Sequence, residues 1–214
     1  MVQDGGVWRE RAESLAFLGN SLLSPMNQTE TYGLDPSFWA AFPDFEDNDI
    51  RNALLELERF ADAASRDESI DWSTSISVEF TKLFIGPPKP AAAPWETFYR
   101  SPDGGRVSVG FGKATFEMRQ LLRDAGLQVR NDNNQYPDHI GIELLYASVS
   151  CSRIADLVDV GEDAAGAIDR LRCFISGHPY SWIDRLIDAV RKECPDSYIF
   201  LLLKLARAIL RRVL

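Results

Sequence analysis

Apolar side chains recur at helical intervals along most of this chain. Between Val7 and Leu23, Trp8, Leu15, Leu18 and Leu22 share one face and Arg9, Arg11 and Glu13 lie opposite, which predicts a first helix closed by Ser24-Pro25. A short apolar piece, Pro36 to Phe42, opens with proline at a helix start. A long helix follows over Asp49 to Ser65, with Ile50, Leu54, Leu57, Phe60 and Ala64 inward. Trp72, Ile76, Phe80, Leu83 and Phe84 then share a face behind Asp71, a residue suited to capping, and Gly86-Pro87 stops that helix.

The period disappears from Pro87 to about Arg106, in a segment rich in Pro and Ala that closes on Trp95-Glu96-Thr97-Phe98-Tyr99. A structureless stretch of more than ~12–15 residues in a compact domain is usually functional or disordered. The aromatic cluster argues for order, so this segment is expected to fold back on the preceding helix end and wall a groove. The alternative is that the rings only plug the core. Arg106 to Val109 alternates briefly as an extended piece, which Gly110-Phe111-Gly112 breaks. Gly112-Lys113 invites a phosphate-loop reading that fails, because Val107 stands at the first glycine position and Ala114 where Ser or Thr is required.

Ala114, Met118, Leu121, Leu122 and Ala125 predict the next helix, with Gly126-Leu127 as its left-handed terminus. Asn131 to Asn134 is a polar hinge candidate between lobes 1–130 and 135–214 of a single helical domain. Pro137 opens a helix with Ile140, Leu144, Ala147, Cys151 and Ile154 inward, and Asp138 and His139 in its first turn. Another runs from Glu162 to Ile175 and ends at Gly177; Ser181 and Asp184 suggest a capping box for a helix from Trp182 to Lys192. The last begins at Asp196 and carries Lys204, Arg207, Arg211 and Arg212. There is no internal repeat and almost no strand signal, so the fold class is all-α.

With 214 residues, 45% of them hydrophobic, the chain can bury a sizeable core. A net charge of -9 argues against general nucleic-acid binding and favours a basic partner. Cys151, Cys173 and Cys194 are odd in number and without framework spacing, and the first ten residues carry no export signal, so a cytoplasmic setting is expected. His139 and Glu143 lie at i, i+4, and with Asp138 and His178 they define an alternative reading, a helical metal-dependent hydrolase. Against it, the chain holds two histidines and no H-E-x-x-H spacing. A third reading makes the last helix a membrane-surface adaptor, too interrupted by Lys204 and Arg207 to span. If the apolar groove binds a peptide, Glu96, Asp138 and Glu143 at its rim would select Arg or Lys beside an apolar stretch.

Four stretches carry a family resemblance: Phe80-Thr81-Lys82-Leu83-Phe84-Ile85-Gly86-Pro87, then Pro94 to Tyr99, then Phe111-Gly112 with Met118-Arg119 and Ala125-Gly126-Leu127, then Tyr136-Pro137-Asp138-His139-Ile140-Gly141. In order and spacing they resemble the TorD/DmsD family of redox-enzyme maturation chaperones, the DmsD branch most of all. Phe174, His178 and Trp182 extend the resemblance toward the C-terminus. It implies an all-helical, non-enzymatic protein without a cofactor of its own. Such a protein would bind the twin-arginine leader of an apo-molybdoenzyme of the dimethyl sulfoxide or trimethylamine N-oxide reductase type and delay export until the molybdenum cofactor is inserted. Phe80, Leu83, Phe84, Trp95, Tyr99, Asp138 and His139 fall on positions the family associates with leader binding. A monomer or a lobe-swapped dimer is compatible with the hinge.

Overall fold

Among the described residues every regular element is helical. The structure, a computed structural model, describes residues 4–86, 88–100, 110–129 and 135–214. The helices are α1 (Gly5–Leu23), α2 (Pro36–Ala40), α3 (Asn48–Arg66), α4 (Trp72–Phe80), α5 (Glu96–Arg100), α6 (Lys113–Asp124), α7 (Ile140–Asp159), α8 (Ala165–Gly177), α9 (Pro179–Glu193) and α10 (Tyr198–Val213). The all-α class is therefore correct, and the expected helix ends hold to within a few residues. The 106–109 extended piece and the 131–134 hinge lie outside the described residues, as does Pro87.

Side-chain caps explain the starts. Asp4, Asp35, Asp47, Asp71 and Ser197 accept backbone N–H groups in the first turns of α1, α2, α3, α4 and α10, satisfying donors a helix start leaves without partners. Gly126, at φ +67, closes α6, and Leu127 N donates to Leu122 O over 2.8 Å. One cap differs from expectation. Helix α9 begins at Pro179, so Ser181 lies inside its first turn and donates to His178 O over 2.7 Å; Asp184 pairs with Arg207 instead of closing a capping box.

Helices α1 and α7 pack along their length, and Gly19 and Gly141 are the reason they approach so closely. A Cβ on Gly141 would stand 2.6 Å from Gly19 O, and one on Gly19 would stand 2.9 Å from Gly141 O. Ser148 Oγ donates to Ala12 O across the same seam over 2.7 Å. Gly141→Ala is expected to push the helices apart at a cost of about 1–3 kcal/mol, as overpacking does, read as a lower urea midpoint. Unchanged stability would mean that the seam is loose. One continuous core joins α1, α3, α7, α9 and α10, with Leu15, Leu57, Trp182 and Leu202 fully buried.

The basic edge of α10 is not a free membrane-facing stripe. Lys204 pairs with Glu56, Arg207 with Asp184, and Arg211 with Asp47 and Asp49, which ties α10 to α3 and α9. Among the described residues no helix is long and apolar enough to cross a membrane.

Candidate functional site

The segment that breaks the helical period builds the site. At the end of α4 the chain widens into a π-turn over Thr81–Ile85, and Gly86, at φ +55, turns it away. A Cβ on Gly86 would lie 2.1 Å from Lys89 O, so glycine is required twice over. Ala91 N and Ala92 N then donate to Lys82 O and Leu83 O over 3.2 and 2.8 Å, so the Pro- and Ala-rich segment folds back on the helix end as expected. Trp95 next forms an isolated antiparallel bridge with His139. Ile140 N donates to Pro94 O and Glu96 N to Asp138 O, each over 2.9 Å. The short helix α5, not anticipated from the sequence, starts there.

Asp138 and His139 are fully buried and each organises a helix start. Asp138 Oδ2 accepts from Thr97 N over 3.0 Å in the first turn of α5, and its Oδ1 accepts from Thr115 Oγ1 of α6 over 2.9 Å. His139 lies one residue before α7, not inside it. Its Nδ1 accepts from Gly141 N over 3.0 Å, which fixes the ring proton on Nε2, where it meets no acceptor. Burial lowers the His139 pKa to about 3, so the ring is neutral.

Glu96 and Glu143 are also fully buried and face each other. Glu96 holds Arg100 through Oε1 and His178 Nδ1 through Oε2, the latter over 2.8 Å; Arg100 also donates to Gly177 O over 2.6 Å. Glu143 Oε2 accepts from Trp182 Nε1 over 3.0 Å, while its Oε1 receives no hydrogen bond. Burial raises the Glu143 pKa well above the ordinary carboxyl value, and the charge of Glu96 raises it further. Burial also works to raise that of Glu96, but hydrogen bonds from His178 and Glu143 and the nearby cations outweigh it and lower it. The pair therefore holds one proton, on Glu143, whose Oε1 donates toward ionised Glu96.

Donor atoms of Glu96, Glu143 and His178 lie within 4.8 Å of one another. The ligand set of the hydrolase reading is divided by this geometry. Glu143 and His178 meet at Glu96, whereas Asp138 and the Nδ1 of His139 are committed to helix starts.

The remaining expected residues form two aromatic runs. Phe80 and Phe84, then His139, Trp95 and Tyr136, follow one another with ring centroids 5.2 to 6.4 Å apart. Tyr99 belongs to the other run, stacked on Trp182 at 5.4 Å and edge-on to Phe98 at 5.1 Å. Phe80, Leu83 and Phe84 are buried core, and Trp95 and Tyr99 are half-buried. Trp95 Nε1 and Tyr99 OH are buried atoms without partners. Phe98, expected with Trp95 and Tyr99 in the wall of the groove, is exposed, and sequence reasoning gave no such place to the other exposed rings, Phe111 and Tyr136. The backbone at Gly110 lies against the Tyr136 ring and that at Gly112 against Thr97, which holds the 72%-exposed Phe111 between Tyr136 and α5. A glycine on each side of Phe111 was the available signal for such close approach.

The fold is thus an all-helical bundle in which a folded-back loop and the start of a long helix jointly frame aromatic rings and a buried carboxyl pair. The family model described as the nitrate reductase delta subunit matches residues 45–188, and the chain belongs to that family, which includes the TorD and DmsD chaperones. It is 26% identical over 133 residues to the Tat proofreading chaperone DmsD of Salmonella paratyphi A, covering 62% of this chain and 57% of that one. It is 35% identical over 74 residues to the DmsD of Salmonella typhi, covering 35% of this chain and 34% of that one. To the chaperone protein TorD of Vibrio cholerae it is 26% identical over 137 residues, covering 63% and 59%. The similarity thus spans under two thirds of these relatives. They are chaperones by name, and none of them supports the hydrolase reading.

Proposed function

We propose that this protein is a cytoplasmic chaperone for the twin-arginine leader of a molybdenum-cofactor oxidoreductase, holding the apo-enzyme back from export until the cofactor is in place. The observation that carries this reading is the coincidence, in a family whose matched members are named as Tat and TorD chaperones, of aromatic rings and unpartnered polar atoms at one site. Trp95 Nε1, Tyr99 OH and His139 Nε2 all lie there. Buried polar atoms normally find partners, and a cluster lacking them marks a functional place in the fold.

In this reading the leader's apolar stretch lies on Phe98, Phe111 and Tyr136 and anchors at Trp95 and Tyr99. Phe80, Leu83, Phe84, Asp138 and His139 act from beneath by fixing the backbone that presents those rings. Glu96 reads the leader's arginine. Arg100, at 40% side-chain exposure, already occupies that carboxylate as an internal guanidinium and is the group a leader arginine displaces. Glu143 assists by keeping Glu96 ionised.

Titration with a synthetic twin-arginine leader, followed by tryptophan fluorescence, tests this. Trp95→Ala is expected to weaken binding by ~2 kcal/mol, as loss of a central anchor does. Phe111→Ser reports on binding alone, because its ring is exposed and the core does not use it. Affinity unchanged in both variants would remove the site. Arg100→Gln is expected to tighten leader binding, and replacement of both leader arginines by glutamine to abolish that gain.

A further inference from the structure

A second concave surface lies between α7 and α8, away from the leader site. On α7, Tyr146, Ser150, Arg153 and Leu157, with Val160 just past its end, follow one another at three- and four-residue intervals, so they form a single stripe, of which Tyr146 and Leu157 also rest on the edge of the core. Opposite them α8 presents Ala167, Arg170 and Leu171. Together they enclose about 550 Å³, within the range that holds a small organic ligand. The floor is apolar: Leu171 is buried, Leu157 and Ala167 are half-buried, and the Tyr146 ring is fixed against Phe174 at 4.4 Å.

The charge at this cavity is opposite to that of the chain. The protein carries -9 overall, yet two guanidinium groups stand at the mouth. Among the described residues neither Arg170 nor Arg153 has a carboxylate partner, and Arg153 spends one N–H on Ala125 O over 2.8 Å. Asp156 also lines the cavity, but Arg9 approaches it to 3.5 Å. An unpaired fork of five donors is suited to a planar or tetrahedral oxyanion.

We propose that the α7–α8 cavity binds a small organic anion, an apolar ring or short chain bearing one carboxylate, sulfonate or phosphate, with the apolar body on Leu157, Ala167 and Leu171 and the anionic end between Arg153 and Arg170. Such a site is independent of leader recognition, since no residue is shared between the two.

The test uses a matched pair of fluorescent probes on the full chain. One is 8-anilino-1-naphthalenesulfonate; the other is N-phenyl-1-naphthylamine, the same ring system without the sulfonate. The sulfonate is expected to bind more tightly than the uncharged amine. Arg153→Gln with Arg170→Gln is expected to weaken the sulfonate roughly tenfold, the loss of about one charge-assisted contact, and to leave the amine unchanged. Val160→Glu, at a position 71% exposed and harmless to folding, sets a carboxylate at the mouth and is expected to exclude the sulfonate in the same way. The proposal is overturned if sulfonate affinity is the same in the wild type and in both variants, which would locate the probe on the exposed Phe111 rim or elsewhere. It is equally overturned if the wild type binds neither probe.

Discussion

Lowering the pH from 6.5 toward 3 is expected to remove on the order of 5 kcal/mol of stability through His139 alone, since each pH unit between the two pKa values is worth about 1.4 kcal/mol. In the fold the ring is neutral down to about pH 3, because it is fully buried and protonation would set an unsolvated cation beside Phe84 and Trp95. In the unfolded chain the same ring takes up its proton near 6.5. Between those values the unfolded state binds more protons, so stability falls as pH falls, and the loss is complete below about 3. His139→Asn isolates the effect. An asparagine side chain can accept the Gly141 N–H as a helix cap, yet it does not titrate. Urea midpoints measured from pH 7 to pH 4 are expected to decline much less steeply for the variant. Parallel profiles for the two proteins would show that His139 is solvated or paired in solution.

Elements whose identity follows from local chemistry were legible in the sequence. The long helices α1, α3, α7 and α10 were given by apolar period, and the stop at α6 by Gly126, whose left-handed φ suits glycine. Fold-back of the Pro- and Ala-rich segment followed from an apolar helix end meeting an aromatic loop. What escaped was set by distance in space. Helix α5 is five residues long, too short for a period, and its start is capped by Asp138 from 41 residues away. Glu96 and Arg100 stand at the i, i+4 spacing of a helical ion pair, but nothing local says that Glu96 is fully buried or that Glu143, read as a rim carboxylate, lies against it. The capping box at Ser181 and Asp184 failed for a related reason. Pro179 is favoured in a first helical turn, and it starts α9 earlier, leaving Asp184 free for Arg207. Phe111 carried no period at all, and its position at the rim depends on Gly110 and Gly112 meeting Tyr136 and Thr97.

Glu96→Ala is expected to be far more damaging than Glu143→Gln, although the two carboxyls are neighbours with equal burial. Ionised Glu96 is the only carboxylate that Arg100 and His178 share among the described residues, and removing one partner of a buried charged network typically costs ~3–5 kcal/mol. Glutamine at 143 preserves what a protonated carboxyl does. Its oxygen accepts from Trp182 Nε1 and its amide donates to Glu96, so at neutral pH the change is expected to stay below about 1 kcal/mol, the net worth of one hydrogen bond. The pH dependence separates the two residues further. With the Glu143 pKa raised in the fold, the folded state holds a proton that the unfolded state releases near 4.5. Glu143 therefore makes stability decline as pH rises above that value, until the folded pKa is passed. Glu143→Gln is expected to abolish this decline and leave the acid-side loss through His139 untouched. A Glu143→Gln variant as unstable at pH 7 as Glu96→Ala would mean that Glu143 is ionised in the fold. The buried pair would then carry two charges, and the proton that keeps Glu96 available to an arginine would have to reside elsewhere.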